Sequence, residues 1–232
     1  MSQQLRDLLE QTFNNDSTEY QQRGFQRRVG YGSRPAIVHI DMANAWTRPG
    51  HAFSCENMET ILPACQSLNT AARSKGVPVI YTTTAYEVTD PSKPSDMGLW
   101  VNKIPVETLA AGSDEVRIDD RIAPESDDLV ITKKRASGFA GTNLAQILTA
   151  ARVDTIILTG VTAAGCVRHT AEDGIAEGFR PIVVRESVGD RVQGVVDWNL
   201  FDIDAKFGDV EPLDSVVNYL ERLPKFADTT TP

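Results

Sequence analysis

The sequence predicts an α/β fold: a mostly parallel central sheet with helices on both faces. Three observations predict it. Apolar, β-branched runs recur at residues 35–41, 77–83, 129–134, 155–159 and 179–184, as strands buried on both faces require. Between them lie stretches with apolar residues at helical spacing, such as Ile61, Leu62, Cys65 and Leu68. Strand and helix also alternate along the chain, which is the pattern of a covered parallel sheet.

Taken in order, residues 2–13 are expected to form a short amphipathic helix with Leu5, Leu8 and Leu9 on one face. The polar stretch from there to Ser33 is expected to wrap the surface, so 1–33 is an N-terminal extension. Residues 34–224 are expected to make one domain and 225–232 a tail. The strand at 35–41 ends in Asp41. A helix over 57–75 turns Met58, Ile61, Leu62, Cys65, Leu68 and Ala72 inward and stops at Gly76. After the strand at 77–83, residues 84–125 carry Pro, Asp and Ser with weak periodicity, as in a lid or an oligomer contact. Trp100 within it is expected to pack rather than to touch a ligand. The strand at 129–134 ends in Lys134. A glycine-containing turn over 135–142 leads to a helix through Leu144, Ile147, Leu148 and Ala151. Residues 195–206 are read as helical, and 211–223 as a final helix with Pro212 at an early position.

The chain has 232 residues, 41% of them hydrophobic and 24% charged, enough for a sizeable single core. A net charge of −9 weighs against a nucleic-acid or anionic-membrane partner. The three cysteines are odd in number and lack metal-ligand spacing, so no disulfide framework is expected. The opening Met-Ser-Gln-Gln-Leu-Arg-Asp has no apolar secretory core. No run approaches the ~18 apolar residues of a membrane helix. A cytoplasmic protein is expected.

Cys166 stands where the run at 156–159 passes through Gly160 and Gly165 into a helical stripe of Val167, Thr170, Ala171 and Ile175. Helix starts carry unpaired N–H groups and a positive dipole end. A thiol there is biased toward thiolate, and the same N–H groups can hold an oxyanion. The bland alternative is a small buried cysteine in a turn. Asp41, Lys134 and Cys166 all follow strands, whose C-terminal ends share one edge of a parallel sheet. There an Asp can take a thiol proton and a Lys can favour the thiolate. Asp41 also suits an ordinary cap. His169 could instead make a Cys–His dyad. Gly160 to Gly165 has phosphate-loop spacing, but Cys-Val follows in place of Lys and Ser or Thr.

Three segments carry a resemblance: His39-Ile-Asp41-Met-Ala-Asn44, Lys134-Arg-Ala-Ser-Gly-Phe-Ala-Gly-Thr-Asn143 and Thr159-Gly-Val-Thr-Ala-Ala-Gly-Cys166-Val-Arg168. Over roughly residues 34–224 the chain resembles the isochorismatase-like cysteine hydrolases. Asp41-Met-Ala-Asn-Ala-Trp-Thr47, Gly189-Asp-Arg191 and residues 198–210 narrow the likeness to the branch that opens N-carbamoylsarcosine. Hydrolases of biuret, ureidoacrylate and maleamate look similar around the triad.

The resemblance implies a Rossmann-like three-layer sandwich. It implies Cys166 as nucleophile, Asp41 as base and Lys134 as electrostatic partner. It places a cis peptide at Val161–Thr162, aiming the N–H groups of Thr162 and Cys166 at an oxyanion. Arg191 falls on the residue that holds a substrate carboxylate; a surface ion pair with Asp190 or Asp197 is its alternative. Asn44, Trp46 and Phe139 are expected to bind substrate, with Met58 and Phe201 as further candidates. The implied partner is a small ureido or amide compound bearing a carboxylate, with the chain as a homo-oligomer, dimer or tetramer. No cofactor is implied. The Asp-x-His metal site of the family's nicotinamidase branch is missing after the second strand, which reads Tyr81-Thr-Thr-Thr-Ala-Tyr86, so no metal is expected. A non-catalytic binding protein on this fold is the remaining alternative, and loss of a triad member would have favoured it.

Overall fold

A computed structural model describes residues 3–226. Strands β1 (Pro35–Ile40), β2 (Val79–Thr84) and β4 (Thr155–Val161) are buried along their whole length, so neither face can carry polar alternation. With β3 (Leu129–Lys133), β5 (Arg180–Gly189) and β6 (Asp209–Glu211) they form one parallel sheet in the order β3-β2-β1-β4-β5-β6. From β1 the chain builds outward on one side through β2 and β3. It then returns to build the other side from β4, so the switch point lies between β1 and β4. That is where ligands of open α/β sheets bind.

Side-chain alternation sorts the core into two layers. Ile37, Val79, Ile157 and Ile182 point to helices α3 (Met58–Ser74) and α7 (Leu213–Arg222), meeting Leu62, Leu68, Val216 and Leu220. Val38, Ile80, Leu158 and Val183 point the other way. They meet Leu148 of α4 (Leu144–Ala150), Ala171 of α5 (Arg168–Ala176) and Leu200 of α6 (Gln193–Lys206). This is the expected three-layer sandwich. No described helix is long and apolar enough to cross a membrane.

Several elements differ from expectation. The first helix, α1, runs Gln3–Gln22. Phe13 and Tyr20 extend its apolar stripe through the polar stretch: Phe13 stacks on Phe201 of α6 at 5.0 Å, and Tyr20 meets the same ring edge-on. Leu8 is 59% exposed. A short helix, α2 (Asn44–Thr47), follows β1. Strand β5 extends to Gly189 because its end rejoins β4 beyond a bulge. Pro212 caps α7 from outside, after the extra strand β6. The tail expected from 225 lies, past Phe226, outside the described residues.

Candidate active site

Two features bring the ends of β1 and β4 together. Gly160 has φ +100°, and a Cβ there would lie 2.1 Å from the Ile40 carbonyl oxygen, so only glycine lets the strands approach this closely. Asp41 itself turns off β1 at φ +49°. The Val161–Thr162 peptide is cis. It leads into a π-turn, Ala163–Val167, that delivers Cys166 to the start of α5.

Lys133, the last residue of β3, completes the cluster. Its side chain and that of Asp41 have no exposure. The ammonium lies 2.8 Å from Asp41 Oδ2 and donates to Cys166 Sγ at 3.3 Å, to Thr84 Oγ1 at 2.6 Å and to the Arg135 carbonyl at 3.1 Å. Thr84 and Thr82 donate in turn to Asp41 Oδ1 at 3.3 and 3.5 Å.

The expectation for Lys134 is thereby corrected: Lys133 stands beside Asp41 and Cys166. Side chains alternate along a strand, so Ile131 and Lys133 are buried while Thr132 between them is exposed. Lys134 lies one step on and points away. It donates to the Ala85 carbonyl at 2.6 Å and pairs with Asp96 at 2.8 Å and Glu87 at 3.5 Å.

The electrostatics also correct the expected thiolate. Burial would pull the Lys133 ammonium down, but Asp41 and Cys166 beside it more than reverse this and raise its pKa. Burial first, and Asp41 second, push the Cys166 thiol up to about 12 against the opposing pull of Lys133. Asp41 and Lys133 already neutralise each other, so a thiolate would add an uncompensated charge in a desolvated place. Burial and Asp41 together thus favour the thiol form of Cys166 over the thiolate, with the Asp41 carboxylate as its hydrogen-bond partner.

Lys133, Thr84 and Cys166 of the cluster line a cleft of about 430 Å³, with Asp41 buried behind them. Trp46 and Arg191 line it, together with Phe53, Tyr86, Arg135 and Val195. The connection after β2 adds Trp100, Ile104, Val106 and Leu109, so Trp100 faces the cleft as well as packing. Arg191 donates through Nη1 to the Phe53 carbonyl at 3.3 Å, and its Nη2 is 3.9 Å from Asp190. Asp197 is held by Gln193 instead.

Two expected substrate contacts do not line the cleft. Asn44 is fully buried and donates to the Asp114 carbonyl at 2.9 Å, pinning the connection to α2. Phe139 stacks on Phe179 at 5.9 Å in the other core layer, because the turn after β3 folds it down toward α5. Met58 is core and Phe201 belongs to the contact with α1. His169 turns its Nδ1 to the Gly165 carbonyl at 2.8 Å. Sequence reasoning missed Lys133, Thr84, Tyr86 and Arg135.

A thiol, a carboxylate beside it and a buried ammonium touching both are groups that can open an acyl bond by covalent catalysis. Comparison with known proteins gives the family. A family model described as the isochorismatase domain matches residues 35–214. The chain is 62% identical over 223 residues to an N-carbamoylsarcosine amidase from Arthrobacter sp, covering 96% of this chain and 84% of that one. It is 36% identical over 198 residues to a maleamate amidohydrolase from Pseudomonas putida, covering 85% and 92%. A solved cysteine hydrolase from Pseudomonas syringae pv. phaseolicola superposes with a TM-score of 0.75 at 28% identity, covering 85% and 97%.

Proposed function

The chain belongs to the isochorismatase family, and from that premise we propose that it hydrolyses N-carbamoylsarcosine to sarcosine, carbon dioxide and ammonia through a covalent intermediate on Cys166. One observation carries the mechanism: Lys133 Nζ lies 2.8 Å from Asp41 and 3.3 Å from Cys166 Sγ, at the floor of a cleft that Arg191 also lines.

The substrate carboxylate pairs with Arg191, whose planar guanidinium suits two parallel hydrogen bonds. This sets the ureido carbonyl over Cys166. As sulfur attacks that carbon, its proton passes to Asp41, so no free thiolate need accumulate. Lys133 stays charged and steadies both the carboxylate and the sulfur. Backbone N–H groups of Thr162 and Cys166 hold the tetrahedral oxyanion. On collapse the bond to the terminal nitrogen breaks. Asp41 returns the proton and ammonia leaves. The remaining thiocarbamate carries the sarcosine skeleton. Water, deprotonated by Asp41, then attacks the same carbon and expels the Cys166 sulfur, which regains a proton. N-carboxysarcosine is released and loses carbon dioxide.

Two further parts of the proposal rest on single features. A homo-oligomer is supported by Leu99 at 83% and Trp198 at 50% exposure, large apolar side chains within segments 84–110 and 195–207. A cytoplasmic location is supported by three free cysteines, one of them the nucleophile, which suit a reducing compartment.

The test is ammonia release from N-carbamoylsarcosine, biuret, ureidoacrylate and maleamate, for wild type and Cys166→Ala. Preferred turnover of N-carbamoylsarcosine, abolished in the variant, is expected. Preferred turnover of another compound would overturn the substrate, and activity surviving in Cys166→Ala would overturn the nucleophile.

A further inference from the structure

Asp190 takes no part in the mechanism above, yet one carboxylate there touches both halves of the site. Its position is set by the sheet. Gly160 pairs with Val188 and Val161 with Gly189, so the chain leaves β5 directly beside the point where β4 leaves at the cis peptide. Gly189 packs so closely that a Cβ would lie 2.6 Å from Ile61 Cδ1, and this fixes the start of the next residue. The Asp190 side chain is 7% exposed. Its Oδ2 accepts from the Ala164 N–H at 3.1 Å, inside the loop that carries Thr162 and Cys166. Its Oδ1 accepts from the Arg191 N–H at 2.8 Å and faces Arg191 Nη2 at 3.9 Å. Its carbonyl accepts from the Glu56 N–H at 3.1 Å, tying the same residue to the segment before α3.

We propose that Asp190 is a positioning residue that fixes the distance between the oxyanion loop and the Arg191 guanidinium, and so selects carbamoyl derivatives of α-amino acids over longer homologues. This rests on the function proposed above. A substrate bridging the two ends must match the spacing between its reacting carbonyl and its carboxylate. In N-carbamoylsarcosine one nitrogen and one methylene separate those carbons. With Oδ2 on the Ala164 N–H and Oδ1 on the Arg191 N–H, the loop and the Arg191 backbone are held at one separation, and the Nη1 bond to the Phe53 carbonyl holds the guanidinium on that backbone, so the two ends do not drift apart to admit a longer bridge. Asn at this position keeps one acceptor oxygen and turns an NH2 toward the other donor, so one of the two ties is lost.

The experiment measures kcat and KM of wild type and Asp190→Asn on N-carbamoylsarcosine and on its homologue one methylene longer. Where wild type prefers another compound of the amide panel, that compound and its longer homologue are used. Misplacing a reacting group by about 1 Å costs on the order of 100-fold. The expected result is therefore an about 100-fold loss of kcat/KM on the shorter substrate and a smaller loss on the longer one. The preference for the shorter substrate then shrinks at least about tenfold. A merely structural role would lower both substrates equally, in step with the thermal midpoint, and that result overturns the proposal. So does an unchanged preference. If Asp190→Asn does not fold, Asp190→Glu carries the same test, since it keeps charge and both acceptors but displaces them by one methylene. Failure of the function proposal shows separately, as wild type that leaves N-carbamoylsarcosine intact.

Discussion

Replacing Lys133 by Met removes a charge and keeps most of an unbranched stem. The Asp41 carboxylate, without exposure and 2.8 Å from the ammonium, then retains the weak hydroxyl contacts of Thr82 and Thr84 and the neutral Cys166 thiol. At that distance the pair attracts by roughly 6 kcal/mol with an effective dielectric constant of about 20, before desolvation is counted. Removing one partner of a buried pair costs about 3–5 kcal/mol, because the other charge is left uncompensated. For a chain of this size each kcal/mol moves the thermal midpoint by about 2–4 °C, so a fall of roughly 10 °C is expected. Turnover should fall about 100- to 1000-fold, the scale of a lost preorganised electrostatic contact. Lys134→Met is the control. Of its partners, Glu87 is exposed and Asp96 half-buried, so it should cost about 1 kcal/mol and leave turnover within a few-fold. Urea unfolding and ammonia release, run on both variants, decide the matter. A dead Lys134→Met beside an active, stable Lys133→Met would refute the assignment.

Other substitutions probe other links. Asp41→Asn removes a carboxylate that raises the Cys166 thiol and leaves Lys133, which lowers it; alkylation of Cys166 by iodoacetamide at pH 7 should quicken while ammonia release drops at least about 100-fold. Slower alkylation would contradict this. Arg191→Gln should raise KM by about 10- to 100-fold, the worth of a charged hydrogen bond, with kcat little changed; a loss confined to kcat would move Arg191 from binding to chemistry. His39 is buried between Thr159 and Asn69, and burial lowers its pKa to about 4. The unfolded chain, titrating near 6.5, therefore takes up this proton first on acidification. Stability that is full above pH 6.5 should fall by up to about 3 kcal/mol as pH drops toward 4. His39→Gln should flatten that slope in thermal melts, and an unchanged slope would assign the acid sensitivity elsewhere.

The sheet is legible in the sequence because its central strands are buried on both faces and read as continuous apolar runs. Asp41 and Cys166 are legible too, since each follows such a run and parallel strands end at a common edge. The lysine is not legible by the same rule. Strand β3 lies at the sheet edge with Leu129 and Val130 exposed, so its outer end carries no apolar pattern from which to count faces, and two adjacent lysines offer two registers. Only the pairing of Thr84 with Lys133 settles which one turns inward. Phe139 and Asn44 sit in motifs that look ligand-directed, but the turn after β3 and the tether to Asp114 commit them to packing. The apolar lining from Trp100 to Leu109 comes from a connection of irregular backbone and short 3₁₀ turns, where no periodicity assigns faces.

Covalent catalysis is tested by quenching wild-type enzyme with acid during turnover of N-carbamoylsarcosine labelled in its N-methyl group, and weighing the Cys166 peptide. An adduct on Cys166 that retains the label is expected, because ammonia leaves first and the sarcosine skeleton stays on sulfur. An adduct without the label would mean that sarcosine departs first. An unmodified Cys166 peptide under conditions of full turnover, with a deacylation-slowed variant giving the same result, would contradict covalent catalysis.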